Sequence, residues 1–167
     1  TELRGLKKSV YCSRKIIVRI INEKGIEELK KIILLNLEDL YQMLKWNEEN
    51  GIRVFRLSSE MFQHKTNPKV PDYTFDFAIH HLKIIGQYAR EKGHRLTFHP
   101  GQFNQLAAIN EKVLEHTIKD LEYHADVLDL MELDHNSVMV IHGGGAYGDK
   151  ELTKLTWCEN YSILPDK

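Results

Sequence analysis

The stretch EKGHRLTFHPGQFNQ, Glu91 to Gln105, decides how this chain folds. Gly93 stands one position past a helical pattern, where glycine commonly closes a helix. The six residues after it, His94 to His99, are short, largely apolar and in part β-branched or aromatic, and read as a strand. That strand runs directly into His99-Pro100-Gly101, predicted to be a sharp turn in which proline fixes φ and glycine admits positive φ. Helix, glycine, strand and polar loop form one unit, and the unit repeats on both sides.

Upstream, Leu29, Ile33, Leu37, Leu40 and Leu44 recur at spacings of three and four, one face of an amphipathic helix that Gly51 ends. IRVFRLSS, Ile52 to Ser59, reads as a strand, KTNPKVPD as a loop, and helical spacing resumes at Ala78, Leu82, Ile85 and Ala89. Downstream, Asn110 is a candidate N-cap for a helix burying Leu114, Ile118, Leu121, Ala125 and Leu128. SVMVIHGGG supplies a third strand ending at His142, and a last helical stretch, Asp149 to Ile163, precedes Pro165. Strict alternation of helix and strand predicts an α/β fold with parallel strands joined by helical crossovers. The interval from His99 to His142, about 43 residues, suits a (β/α) barrel repeat, but a closed barrel needs eight strands where three are clear. Two architectures fit: a small open sheet, or part of a larger barrel. Either way the chain, residues 1–167, is expected to be a single domain.

Composition narrows the function classes. A hydrophobic share of 42% with 28% charged residues matches ordinary globular proteins and argues against disorder or a fibrous class. The net charge of −1 leaves no global cationic field, so any nucleic-acid role needs a local patch. The longest apolar run, Ile32 to Leu37, is too short for a bilayer and carries Asn36, and no signal-peptide pattern opens the chain. A soluble, intracellular protein with no membrane partner is expected. Cys12 and Cys158 match no metal or redox spacing and are expected to be small buried hydrophobes.

In parallel α/β folds the C-terminal strand ends carry the active site, and Ser58, Ser59, His99 and His142 all fall there. Two histidines from neighbouring strand ends can share a divalent ion. A lone histidine at such a place is more often a packed core residue; two equivalent placements make the ligand reading as strong as the packing one. A catalytic metal site needs three or more protein ligands, and no third is evident, Asp149 and Glu159 reading better as helix-surface charges. The triplet Gly143 to Gly145 exposes backbone N–H groups to an anion, although a tight turn explains it as well. Gln102 and Phe103 project from the loop after His99, where an aromatic and an amide can stack on a base and bond its edge. His64 follows the first strand closely enough to reach the same rim. His80, His81, His116, His124 and His135 are expected at solvated or packed positions.

FRLSSEMFQH, FHPGQFNQLA, LEYHADVLDLM and VIHGGGAYGDK together resemble the UV damage endonuclease family, in its order and spacing, over nearly the whole chain. The resemblance implies a (β/α)8 TIM-type barrel related in architecture to endonuclease IV, of which this chain would be an incomplete, N-terminal half. It implies repair of UV-damaged double-stranded DNA: hydrolysis of the phosphodiester 5′ of a photoproduct, with nicking at abasic sites in some members. It also implies a cluster of divalent metals, typically manganese, with magnesium or zinc as alternatives. His99 and His142 match metal-binding and hence catalytic histidines. Gln102 and Phe103 match a Gln-Tyr pair that probes the DNA stack; phenylalanine keeps the stacking face and loses the hydroxyl. His64 matches a polar position after a strand, with Gln63 where the family tends to have proline. Tyr147 and Lys150 match the motif after His142, Lys150 as a candidate phosphate contact. The family's first strand would lie just before TELRGLKK, and its further glutamate, aspartate and histidine ligands beyond Lys167. Activity is therefore expected of a full-length protein and little of this chain alone.

Two other readings stay open. A metal-dependent sugar isomerase or epimerase barrel shares strand-end histidines. A non-catalytic half-barrel could instead self-associate, because an open sheet leaves unpaired edges.

Overall fold

A computed structural model of the chain describes residues 2–3 and 10–165. It is an α/β fold in which helices cover one face of a small parallel sheet. Strands β3 (Val54–Arg56) and β4 (Arg95–Thr97) pair in parallel, Val54 opposite Arg95 and Arg56 opposite Thr97. The bonds Arg95 N to Arg53 O (2.7 Å) and Leu57 N to Thr97 O (2.8 Å) extend the ladder at both ends. The expected third strand is reduced to one parallel bridge, Phe98 to Met139, made by Phe98 N to Val138 O (3.1 Å) and Val140 N to Phe98 O (2.9 Å). Among the described residues this segment is paired on one side only, so nothing holds more of it extended.

The helices α2 (Ile26–Glu49), α3 (Ile79–Lys92), α4 (Glu111–Leu130) and α5 (Lys150–Ser162) lie where the spacing predicts them. Gly93 takes the left-handed conformation expected of a helix C-cap, φ 66°. Asn110 caps α4 by accepting from Lys112 N, and Asp149 caps α5 by accepting from Glu151 N and Leu152 N. Leu29, Ile33, Leu37, Leu40 and Leu44 form the buried stripe of α2. Helix α4 is rotated from the expected face: Thr117, Leu121, His124, Val127 and Leu128 are buried, whereas Leu114, Ile118 and Ala125 are half-buried. The reason is the contact beneath it, where the Phe98 ring meets the His124 ring edge-on at 4.8 Å and draws that stripe onto the sheet. Helix α5 has no buried residue, which is why Cys158 is exposed rather than buried, while Cys12 lies in the core. Between α4 and α5 runs a cleft of about 930 Å³ lined by Ala125, Leu128, Met139, Trp157 and Tyr161.

Two features depart from a purely parallel alternation. Strand β1 (Glu2–Leu3) pairs antiparallel with β2 (Val10–Tyr11), and a short helix, α1 (Val18–Lys24), precedes α2. Where TELRGLKK stands relative to a first barrel strand lies largely outside the described residues. The chain after β2 then crosses α2 without a strand partner, and side chains take the place of the ladder. Asn36 accepts from Arg14 N (2.9 Å) and donates to Arg14 O (3.0 Å); Gln63 accepts from Ile16 N (2.9 Å) and donates to Arg14 O (2.6 Å). Asp39 takes Tyr11 N and the Arg14 guanidinium on the same oxygen. Buried backbone groups need such partners, since one left unsatisfied costs about 1–3 kcal/mol.

Candidate functional site

Alternation along the strands sorts buried from functional positions. Leu96 and Phe98 point under the helices and are buried, so Thr97 and His99 face the other way. Val138, Val140 and His142 follow the same rule on the neighbouring segment. The outcome is that the His99 and His142 rings meet with centroids 4.4 Å apart, tilted by 50°.

The His99 ring is held by its Nδ1, 2.8 Å from Val140 O. A carbonyl only accepts, so Nδ1 carries the proton and Nε2 of the neutral ring keeps its lone pair, the arrangement that orients a metal-binding imidazole. The pair therefore suits a shared divalent ion as two members of a larger ligand set. Among the described residues no third His, Cys, Asp or Glu joins them. Asp149 is occupied as the α5 cap, and Glu159 is an exposed helix residue.

Gln102 and Phe103 are the central residues of a β-turn closed by Asn104 N to Gly101 O (3.0 Å). Phe103 is 80% exposed, so its ring stands clear of its own loop. Gly101 does not take the positive φ expected of it; the direction change falls to the turn that follows. Directly beyond, Leu106 and Ala107 are buried, and Gln105 N donates to Thr117 Oγ1 (3.1 Å). The exposed pair thus rides on a tip whose base is packed.

The loop after His142 curls back onto this one. Gly144, at φ 82°, lies against the Gln105 side chain, and the Tyr147 hydroxyl donates to Gln105 Oε1. Tyr147 itself adopts φ 45°, uncommon for a residue with a side chain and held here by that bond. Lys150 opens α5 and shares a pocket of about 360 Å³ with Gly143–Gly145, Thr153 and Trp157. The N-terminus of α5 is occupied by Asp149, so a cationic contact there rests on Lys150.

His64 is placed differently from the two strand-end histidines. Its Nε2 lies 2.8 Å from Ile16 O, joining its loop to the segment before α1, and its Nδ1 lies 3.2 Å from Asn67 Nδ2 within that loop, so both ring nitrogens are engaged. Ser59 presents its carbonyl to the Tyr123 hydroxyl (2.7 Å). Beneath the rim, His124 is fully buried and stacked on Tyr123 at 4.1 Å; burial holds its pKa below the ordinary imidazole value and drives that of the Tyr123 phenol well up.

Sequence reasoning missed Asn104, Gln105, Thr117 and Asp120. Asn104 is buried and donates to Asp120 Oδ2 at 2.6 Å across a separation of 16 residues. The only available signal was a polar Asn-Gln pair ahead of the buried Leu106 and Ala107, which does not name its partners.

The UV-endonuclease UvdE family model matches residues 1–167. A relative from Acanthamoeba polyphaga mimivirus is 43% identical over 162 residues, covering 94% of this chain and 49% of the relative. The UV-damage endonuclease of Schizosaccharomyces pombe is 37% identical over 170 residues, covering 99% of this chain and 28% of that protein. Among solved structures, the crystal structure of SacUVDE superposes with a TM-score of 0.85 at 31% identity, over 93% of this chain and 52% of that one. The chain thus spans about half or less of the length of these relatives. With the whole of its sequence matched, the chain belongs to the UV-endonuclease UvdE family.

Proposed function

We propose that this chain supplies the DNA-probing turn and two metal ligands of a UV damage repair endonuclease. The enzyme's full form would be a (β/α)8 barrel that hydrolyses the phosphodiester 5′ of a photoproduct in double-stranded DNA. The observation that carries this reading is the meeting of the His99 and His142 rings at 4.4 Å, joined through Gln105 and Tyr147 to the turn bearing exposed Phe103. Phe103 offers a flat apolar face to stack where a lesion has weakened the helix, and Gln102 offers an amide to the bases left behind. A photoproduct lowers the cost of extrusion, so recognition rests on deformability more than on base sequence. His99 and His142 would hold a divalent ion, manganese by the family resemblance, with magnesium or zinc as alternatives. Such an ion, when bound, supplies Lewis-acid polarisation of the phosphodiester and a nucleophile at neutral pH. Lys150 would steady a phosphate from the edge of the glycine loop; His64, with both nitrogens engaged, would act by holding its own loop.

Fluorescence anisotropy with a duplex carrying one cyclobutane pyrimidine dimer and its undamaged counterpart tests the reading. Tighter binding of the damaged duplex, lost in Phe103→Ala, is expected; equal affinities for the two duplexes would refute it. Little incision of UV-irradiated plasmid is expected from the 167-residue chain with manganese. Robust nicking abolished by His99→Ala would show that two histidines suffice and would sink the view that more ligands are required.

A second reading, self-association, is favoured by the apolar residues Leu152, Leu155, Tyr161 and Ile163 of α5 and its C-cap, all more than half exposed, and by exposed Val140 on the sheet edge. A dimer by sedimentation that binds neither DNA nor manganese would support it over the nuclease. Among the described residues, no helix is long and apolar enough to cross a membrane.

A further inference from the structure

We infer that Asp120 is a positioning residue whose carboxylate sets the probing turn against the neighbouring rim loop. This rests on the reading of Gln102 and Phe103 as the pair that enters the DNA stack. Asp120 sits on α4 with its side chain 13% exposed, and each of its oxygens holds a different loop. Oδ2 accepts from Asn104 Nδ2 at 2.6 Å, in the loop after β4; Oδ1 accepts from Thr66 Oγ1 at 3.2 Å, in the loop after β3 that also carries His64. One carboxylate therefore ties two loops that follow neighbouring parallel strands.

The bond to Asn104 bears on function because of where Asn104 stands. It is the last residue of the turn whose central residues are Gln102 and Phe103, and its own N–H closes that turn onto Gly101 O. Asn104 is 5% exposed, so its side-chain amide has no solvent to replace Asp120. A side chain that must wedge between stacked bases works against the stacking energy, and it can do so only from a base that does not yield. The tip has no packing of its own, since Phe103 is exposed. Its stiffness comes from below, from Asn104 on Asp120 and from Gln105 N on Thr117 Oγ1. Charge-assisted bonds in a partly buried place are the stronger kind, and that is what the Asn104–Asp120 contact provides.

The test compares Asp120→Ala, Asp120→Asn and Asn104→Ala with the unaltered chain, using two readouts. The first is hydrogen exchange at the backbone N–H of residue 104, which closes the turn in every variant and needs no DNA. The second is fluorescence of 2-aminopurine placed beside a cyclobutane pyrimidine dimer in a duplex, which rises when the base loses its stacking neighbour. In Asp120→Ala the backbone N–H of residue 104 is expected to exchange about tenfold faster or more, the weight of one bond to a charged group. That variant is also expected to bind the damaged duplex without the fluorescence rise. Asp120→Asn should restore both, because an amide can accept from Asn104 and donate to Thr66 Oγ1. Should Asp120→Ala melt at a lower temperature, Asn104→Ala removes the same bond from the loop side and is expected to give the same pair of results. Wild-type exchange and a full fluorescence rise in Asp120→Ala or Asn104→Ala would overturn the inference. If the unaltered chain gives no fluorescence rise, the nuclease reading fails; the exchange readout still decides whether Asp120 holds the turn.

Discussion

Replacing Gly86 by alanine sets two ordinary effects against each other, and the structure decides the sign. Gly86 lies inside α3, where alanine normally stabilises by about 1 kcal/mol. Here an added Cβ would lie 1.8 Å from the Met131 carbonyl oxygen, 2.6 Å from its carbon and 2.8 Å from Cα, all backbone atoms at the end of α4. Carbon and oxygen approach to about 3.3 Å, so α3 and the end of α4 must part by about 1.5 Å. Such overpacking typically costs about 1–3 kcal/mol. The same carbonyl accepts from Arg90 Nη1 at 2.6 Å, and a shift of that size breaks a bond to a charged donor, worth about 1.5–3 kcal/mol. After the helix-propensity gain, the net loss is about 1.5–5 kcal/mol, a fall in Tm of about 3–20 °C for a chain of this size. Thermal and urea melts followed by circular dichroism measure it. Because both costs pass through one carbonyl, Gly86→Ala combined with Arg90→Ala should lose less than the two changes separately. A Gly86→Ala chain as stable as the original, or more so, would refute the close packing of α3 on the end of α4.

Other outcomes follow from contacts already described. Burial keeps His124 below the ordinary imidazole pKa, so below about pH 6.5 the unfolded chain binds a proton that the folded chain refuses. Stability present at neutral pH should then fall on acidification, by up to about 1.4 kcal/mol per pH unit, and His124→Gln should flatten the profile in urea melts. Removing the cap in Asp149→Ala should fray α5 by about 1 kcal/mol, read as faster hydrogen exchange at Glu151 and Leu152 with α2 unchanged. A thiol reagent should label Cys158 in the folded chain and Cys12 only on unfolding, since Cys12 is 1% exposed and burial pushes its thiol pKa up. Labelling of both at equal rates would show that the core around Cys12 opens.

Some of this was legible because it depends on neighbours in sequence. Leucines three and four apart mark α2 wherever it packs, and Asn110 caps α4 through a residue two positions away. The meeting of His99 and His142 was legible too, because two parallel strands of like alternation bring equivalent ends together. The rotated face of α4 was not, since Ile118 and Thr117 are both fit to be buried and the choice depends on Phe98, nineteen or more residues upstream. The shortness of the third strand was hidden for the same reason, because a strand's length is set by what lies beside it. Asp120 carries no local mark at all: its partners Thr66 and Asn104 lie 54 and 16 residues away, and only the folded chain assembles them.

Asn36 gives the longest helix something its leucines cannot. A stripe of Leu and Ile residues would pack nearly as well after sliding one helical turn, about 5.4 Å, because one aliphatic side chain replaces another. Asn36, fully buried, answers both the N–H and the C=O of Arg14, and a slide in either direction leaves the Arg14 N–H and the Asn36 amide unanswered, with Gln63 alone still reaching Arg14 O. It works as an address on a degenerate surface, selecting one alignment among several of similar energy. Leucine at that position should preserve the helix content and lose the single alignment, visible as broadened amide resonances along α2 and the Tyr11–Ile16 segment.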